Sequence, residues 1–120
     1  MIDLLIVSDT GETVQPFRRH LRAFGCRYDT AANGLEALDA LREADYDAVV
    51  VAMSHGANGV AHEIVRSLRA AYPGQVVSVL LPDPTAARQQ ELVESGASVV
   101  VPTPCTPGEF LTRLMAAMVR

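Results

Sequence analysis

Apolar residues along this chain alternate between two rhythms. Five short runs stand out: Leu4 to Val7, Cys26 to Thr30, Ala48 to Met53, Val76 to Leu81 and Val99 to Val101. Three of these are continuous and rich in Val, the pattern of strands buried on both faces. The second run is more polar, as an edge strand can be, and the fifth stops at Pro102, which has no N–H to give a ladder.

Between the runs the apolar positions recur at three- and four-residue steps. Val14, Phe17, Leu21 and Phe24 form one stripe, stopped by Gly25, with Arg18, Arg19 and Arg22 on the other side. Leu35, Leu38 and Leu41 follow Asn33-Gly34, and Val60, Ile64 and Leu68 end at Tyr72-Pro73-Gly74. Leu92 with Val93 anchors a fourth helix closed by Gly96. Phe110, Leu114 and Met118 form a fifth, with Thr106 as the expected N-cap and Pro107 in the first helical position. Pro16 fits a helix only in its first turn, so the first helix is expected to begin late, near Thr13 to Gln15, with Thr13 as cap. Strand and helix alternate throughout, which predicts an α/β fold with a parallel sheet and helices on both faces. Function in such sheets belongs to the carboxyl ends of the strands.

The length of 120 residues suits one domain spanning 1–120. Composition narrows the function classes further. The net charge of −4 argues against direct nucleic-acid binding, and all ten basic residues are Arg, with no Lys anywhere. The opening MIDLLIVSD has no basic start and only a short apolar run, so neither a signal peptide nor a membrane span is expected, and the cytoplasm is the expected compartment. Cys26 and Cys105 are too few for a disulfide framework or zinc site. They open strand two and follow strand five, at opposite edges of the sheet, and are expected to be free thiols.

At the strand ends a family resemblance emerges. LLIVSDT resembles the first strand of response-regulator receiver domains, and AANGLEAL resembles their turn into the second helix. YDAVVVA resembles the third strand, and ESGASVVVPTP the end of the fourth helix, the fifth strand and the Lys-Pro beyond it. The resemblance spans the whole chain. It implies a flavodoxin-like three-layer sandwich, a five-stranded parallel sheet in the order 2-1-3-4-5 with five helices. It also implies a cis peptide at Thr103-Pro104.

The resemblance further implies a phosphoryl-accepting pocket, which this sequence does not fill. Phosphoryl transfer to a carboxylate needs a nucleophilic Asp, Mg²⁺, and cationic or hydroxyl groups to take up charge. The nucleophile's position falls on Ala52, and the acid pair on Ser8 and Asp9, of which only Asp9 is acidic. The Lys position falls on Thr103, the Ser/Thr closing strand four on Leu81, and the aromatic switch in strand five on Val100. The connection from Ala52 to Asn58-Gly59 is about one residue short and lacks the family's Pro. A phosphoacceptor, a metal and a cofactor are accordingly not expected. Asp9 is read as structural, accepting backbone N–H groups in the loop after strand one. His55 reads as a solvated loop residue, and His20 and His62 as helical residues without metal-binding spacing. Asp47 lies at the wrong end of the sheet, and Ser54 near the pocket has no evident base.

The expectation is thus a degenerate receiver, not an enzyme, that binds a protein partner without phosphorylation; that partner is a signalling or effector protein, or a second copy in a homodimer. Helix four, strand five and helix five offer one face for it; Arg18, Arg19 and Arg22 of helix one are a second candidate, although they read first as a solvated helix face. Two alternatives stand beside this reading. One is a conventional two-component phosphorelay receiver. The other is a flavodoxin-like enzyme or cofactor binder, although SDTGETVQP has no glycine-rich phosphate cradle.

Overall fold

The computed structural model describes residues 2–10, 14–54 and 58–119. Five parallel strands form one sheet in the order β2-β1-β3-β4-β5. The strands are β1 (Ile2–Ser8), β2 (Cys26–Ala31), β3 (Ala48–Ala52), β4 (Val77–Pro82) and β5 (Val99–Thr103). The helices are α1 (Arg18–Ala23), α2 (Gly34–Glu43), α3 (Asn58–Ala71), α4 (Ala86–Glu94) and α5 (Pro107–Met118), with a 3-10 turn at Gln15–Phe17 before α1. The expected flavodoxin-like α/β architecture and strand order are those observed.

Because successive side chains in a strand point to opposite faces, each inner strand feeds two cores. Leu5 and Val7 pack with Val49, Val51 and Val79 beneath α2, α3 and α4, where Leu41, Ile64, Leu68 and Leu92 meet them. Leu4 and Ile6 pack with Val50 and Leu80 on the other face, against Phe17, Leu21, Phe110 and Leu114 from the α1 and α5 side. The rings of Phe17 and Phe110 lie 5.4 Å apart between centroids, tilted by 49°.

Local chemistry sets the helix starts. The Asn33 side chain accepts the Glu36 N–H at 2.9 Å while the Glu36 carboxylate accepts the Ala32 N–H at 3.3 Å, a reciprocal cap. Thr85 caps α4 and Thr106 caps α5, each accepting the N–H three residues on. Regular α1 begins later than the sequence suggests, at Arg18, because Pro16 sits in the 3-10 turn; its entry residue Val14 makes no side-chain cap bond. Thr13 lies outside the described residues.

Two features depart from expectation. Strand β5 does not stop before Pro102 but runs through it to Thr103, as an edge strand with one neighbour can. The helical stripes are also offset. Leu35 and Phe24, expected inside, are 70% and 60% exposed, and Val60 and Val93 are exposed as well. Ala37, Ala61 and Ala117 are buried at the helix–sheet contacts. A methyl side chain lets a helix approach the sheet closely, and the larger residue beside it is left outside.

Candidate functional site

The carboxyl ends of β1 and β3 lie side by side, with Ser8 directly opposite Ala52 in the ladder. Asp9 follows at the top of β1, and Ser54 follows β3. The Ser54 N–H donates to the Asp9 carboxylate, 3.2 Å from Oδ1 and 3.4 Å from Oδ2, and the Ser54 hydroxyl donates to Oδ2 as well. Asp9 therefore accepts a backbone N–H from the loop after β3. That bond ties the ends of two neighbouring strands together. The sequence placed Ser54 near the pocket without seeing this partner, and nothing in the spacing of residues 9 and 54 signals it.

Three of the other positions that the resemblance assigns to a phosphoryl pocket, Ala52, Leu81 and Val100, lie in the cores. Ala52 is 0% exposed and packs on the α1–α5 side. Leu81 and Val100 are buried on the opposite side, with Leu92 and Ala97. Thr103 is half-buried at the end of β5, where its carbonyl accepts the Asp83 N–H at 3.2 Å. The Thr103–Pro104 peptide is cis. His55 and the connection from 55 to 57 lie outside the described residues.

These residues do not suit Mg²⁺. A hard divalent ion needs several oxygen ligands in near-octahedral array. Here Asp9 is one carboxylate already bound to Ser54, and the residue before it, Ser8, faces the methyl group of Ala52 across the ladder. Among the described residues, no group of three or more His, Cys, Asp and Glu is gathered as a metal site.

Other polar residues find local partners. The His62 ring lies 3.2 Å from the Ser95 hydroxyl, linking α3 to the end of α4. Asp47 accepts the Asp3 N–H at 2.7 Å at the amino end of the sheet, away from the site. Both Cys are free thiols, and burial pushes each thiol pKa up.

Two grooves flank the outer strand β2. One, of about 530 Å³, opens at the carboxyl end beside Asp9, between Gln15, Arg18, Thr30 and Glu36. The other, of about 640 Å³, lies around the amino end of β2 and is lined by Arg18, Arg22, Arg27, Tyr28, Asp29 and Tyr46. Arg18 belongs to both, held where its Nε donates to the Tyr28 hydroxyl at 2.6 Å. Nothing in the spacing of residues 18 and 28 signals this contact, which depends on how α1 lies over β2.

This fold and the placement of its strand ends match solved receiver structures over essentially the full chain. The chemotaxis response regulator CheY4 of Vibrio cholerae is 25% identical, covers 98% of each chain and superposes with a TM-score of 0.81. A two-component response regulator from Clostridium difficile is 16% identical, covers 100% of this chain and 98% of its own, and gives a TM-score of 0.84. A response regulator receiver domain protein from Clostridium thermocellum is 20% identical, covers 100% and 96%, and also gives a TM-score of 0.84. No protein-family model and no curated protein sequence matches the chain. The chain thus has the fold of response-regulator receiver domains from end to end. No helix among the described residues is long and apolar enough to cross a membrane.

Proposed function

We propose that this chain is a receiver-fold signalling module that works through protein contacts and does not take up a phosphoryl group. The solved structures it resembles are named as response regulators, which supports a role in signal transduction. The observation that carries the second half of the reading is Ala52. It is a methyl group at the nucleophile's position, fully buried, beside an Asp9 carboxylate committed to Ser54. A phosphorylatable receiver shifts between two states because the phosphoryl group interacts differently with each. With Leu81 and Val100 packed as core residues, the hydroxyl and aromatic groups that would pass on that difference are missing here. The face made by α4, β5 and α5 is then available to a partner in one arrangement. The expected compartment is the cytoplasm.

Intact-mass analysis after incubation with acetyl phosphate and Mg²⁺ tests this reading. The expected result is an unchanged mass. A stoichiometric gain of one phosphoryl group, mapped to Asp9 or any other strand-end residue, returns the protein to the conventional phosphorelay class.

A further inference from the structure

The sequence carries a net charge of −4, yet α1 is a run of Arg18, Arg19, His20 and Arg22, all exposed. Among the described residues, ion pairs join Arg27 to Asp3, Arg42 to Asp39 and Arg88 to Glu91, and none reaches α1. Arg18 has partners, but neutral ones: the Tyr28 hydroxyl at 2.6 Å and the Gln15 side-chain oxygen at 2.9 Å. Such bonds fix the direction of a guanidinium without cancelling its charge. Arg18 stands where the two grooves beside β2 meet, Arg22 lines the larger of them, and Phe24 is exposed just past the helix end.

We propose that α1 and the grooves on either side of Arg18 dock an acidic protein segment, one that presents separate carboxylates to Arg18, Arg19 and Arg22 and an apolar side chain to Phe24. This rests on the reading of the chain as a protein-interaction module and names the surface and the chemistry of the partner. Charge complementarity selects the occupant. Arginine binds carboxylates through paired N–H donors, and discrete carboxylates on a peptide can match a patch of this size. A nucleic acid carries its charge as a continuous line along the backbone.

The test is fluorescence anisotropy with a labelled oligoglutamate peptide ending in leucines, against oligolysine–leucine and single-stranded oligothymidylate of matched length. The proteins are the full chain, Arg19→Gln/Arg22→Gln, and Arg66→Gln/Arg88→Gln, which removes the same charge from α3 and α4. Oligoglutamate is expected to bind the full chain, to weaken steeply with salt, and to lose about tenfold or more in affinity on Arg19→Gln/Arg22→Gln but not on the control pair. Absence of oligoglutamate binding, equal loss in both double variants, or tighter binding of oligothymidylate overturns the proposal. Both α1 positions are solvent-facing, and equal melting temperatures verify that each variant is folded. No phosphodonor is present, so this result stands apart from the mass test: a chain that gains a phosphoryl group there and binds oligoglutamate here loses the earlier reading and keeps the docking surface.

Discussion

Ser54 holds Asp9 from two directions, through its backbone N–H at 3.2 Å and through its hydroxyl. The residues are far apart in sequence and sit at the ends of adjacent strands. The pair commits the Asp9 carboxylate to an internal contact between the ends of β1 and β3. Ser54→Ala keeps the N–H contact and removes the hydroxyl, so a modest stability loss of about 1 kcal/mol is expected for one partly exposed hydrogen bond. Urea denaturation of the two proteins measures it. A loss well beyond that range would mean that Ser54 supports more than this contact.

An acid placed at position 52 is not expected to create a phosphoryl acceptor. Ala52 is 0% exposed in an apolar cluster, so Ala52→Asp places a carboxyl group where its charged form is poorly solvated. Destabilisation of roughly 2–4 kcal/mol is expected, together with an unchanged mass after acetyl phosphate and Mg²⁺. Thr103 and Ser8 would still lack the cation and second acid of a working site. A phosphorylated, undestabilised Ala52→Asp would contradict both halves of the expectation.

The same core contains a polar group that it does not satisfy. Ser78 is 0% exposed on β4, and its hydroxyl has no hydrogen-bond partner among the described residues. Ser78→Ala removes that desolvated group at little cost in volume, and a gain of about 1 kcal/mol is expected by the same denaturation assay.

Gly96 allows α4 to hand over to β5. Its φ is +123°, and a Cβ there would come within 2.7 Å of the Arg69 side chain, whose Nε donates to the Gly96 carbonyl at 3.0 Å. Gly96→Ala is expected to cost about 2 kcal/mol, more than a surface Gly→Ala change, because both backbone strain and a clash oppose it. Thermal melts beside Gly25→Ala, where φ is +75° but a Cβ meets nothing within 4 Å, separate the clash from the backbone strain.

Tyr46 gives the fold an alkaline limit. Its hydroxyl donates to Asp29 at 2.6 Å; that hydrogen bond is the main cause, with burial next, that lifts its pKa from 10.0 to about 12. Because the folded value lies above the unfolded one, the contribution is complete below pH 10 and is lost as pH rises towards 12. Tyr46→Phe should therefore flatten the fall in stability across that window, read from urea midpoints at successive pH values.

Much of the architecture was legible in the sequence because strands buried on both faces leave unbroken Val-rich runs. The cap at Thr106 and the stop at Gly25 were legible for a different reason, since they depend on residues close in sequence. Leu35 and Phe24 were misplaced because periodicity weights bulk, whereas the helix–sheet contact selects for small Ala37 and Ala61. The places of Ser8 and Ala52 at strand ends could be read from the apolar runs themselves. The Ser54–Asp9 and Arg18–Tyr28 contacts could not, because each depends on how two elements are placed in space.

The late start of α1 also affects how this protein moves. Six residues are too few for a helix to stand by its own hydrogen bonds, so α1 is held mainly by Phe17 and Leu21 against the α5 side, with Phe110 opposite Phe17. Its amides should therefore exchange with solvent through a small local opening, well before those of β1 and β3, which open only with the whole domain. The arginine surface thus rides on a short element that is expected to open locally, and an occupant that settles there would announce itself by slowing that exchange.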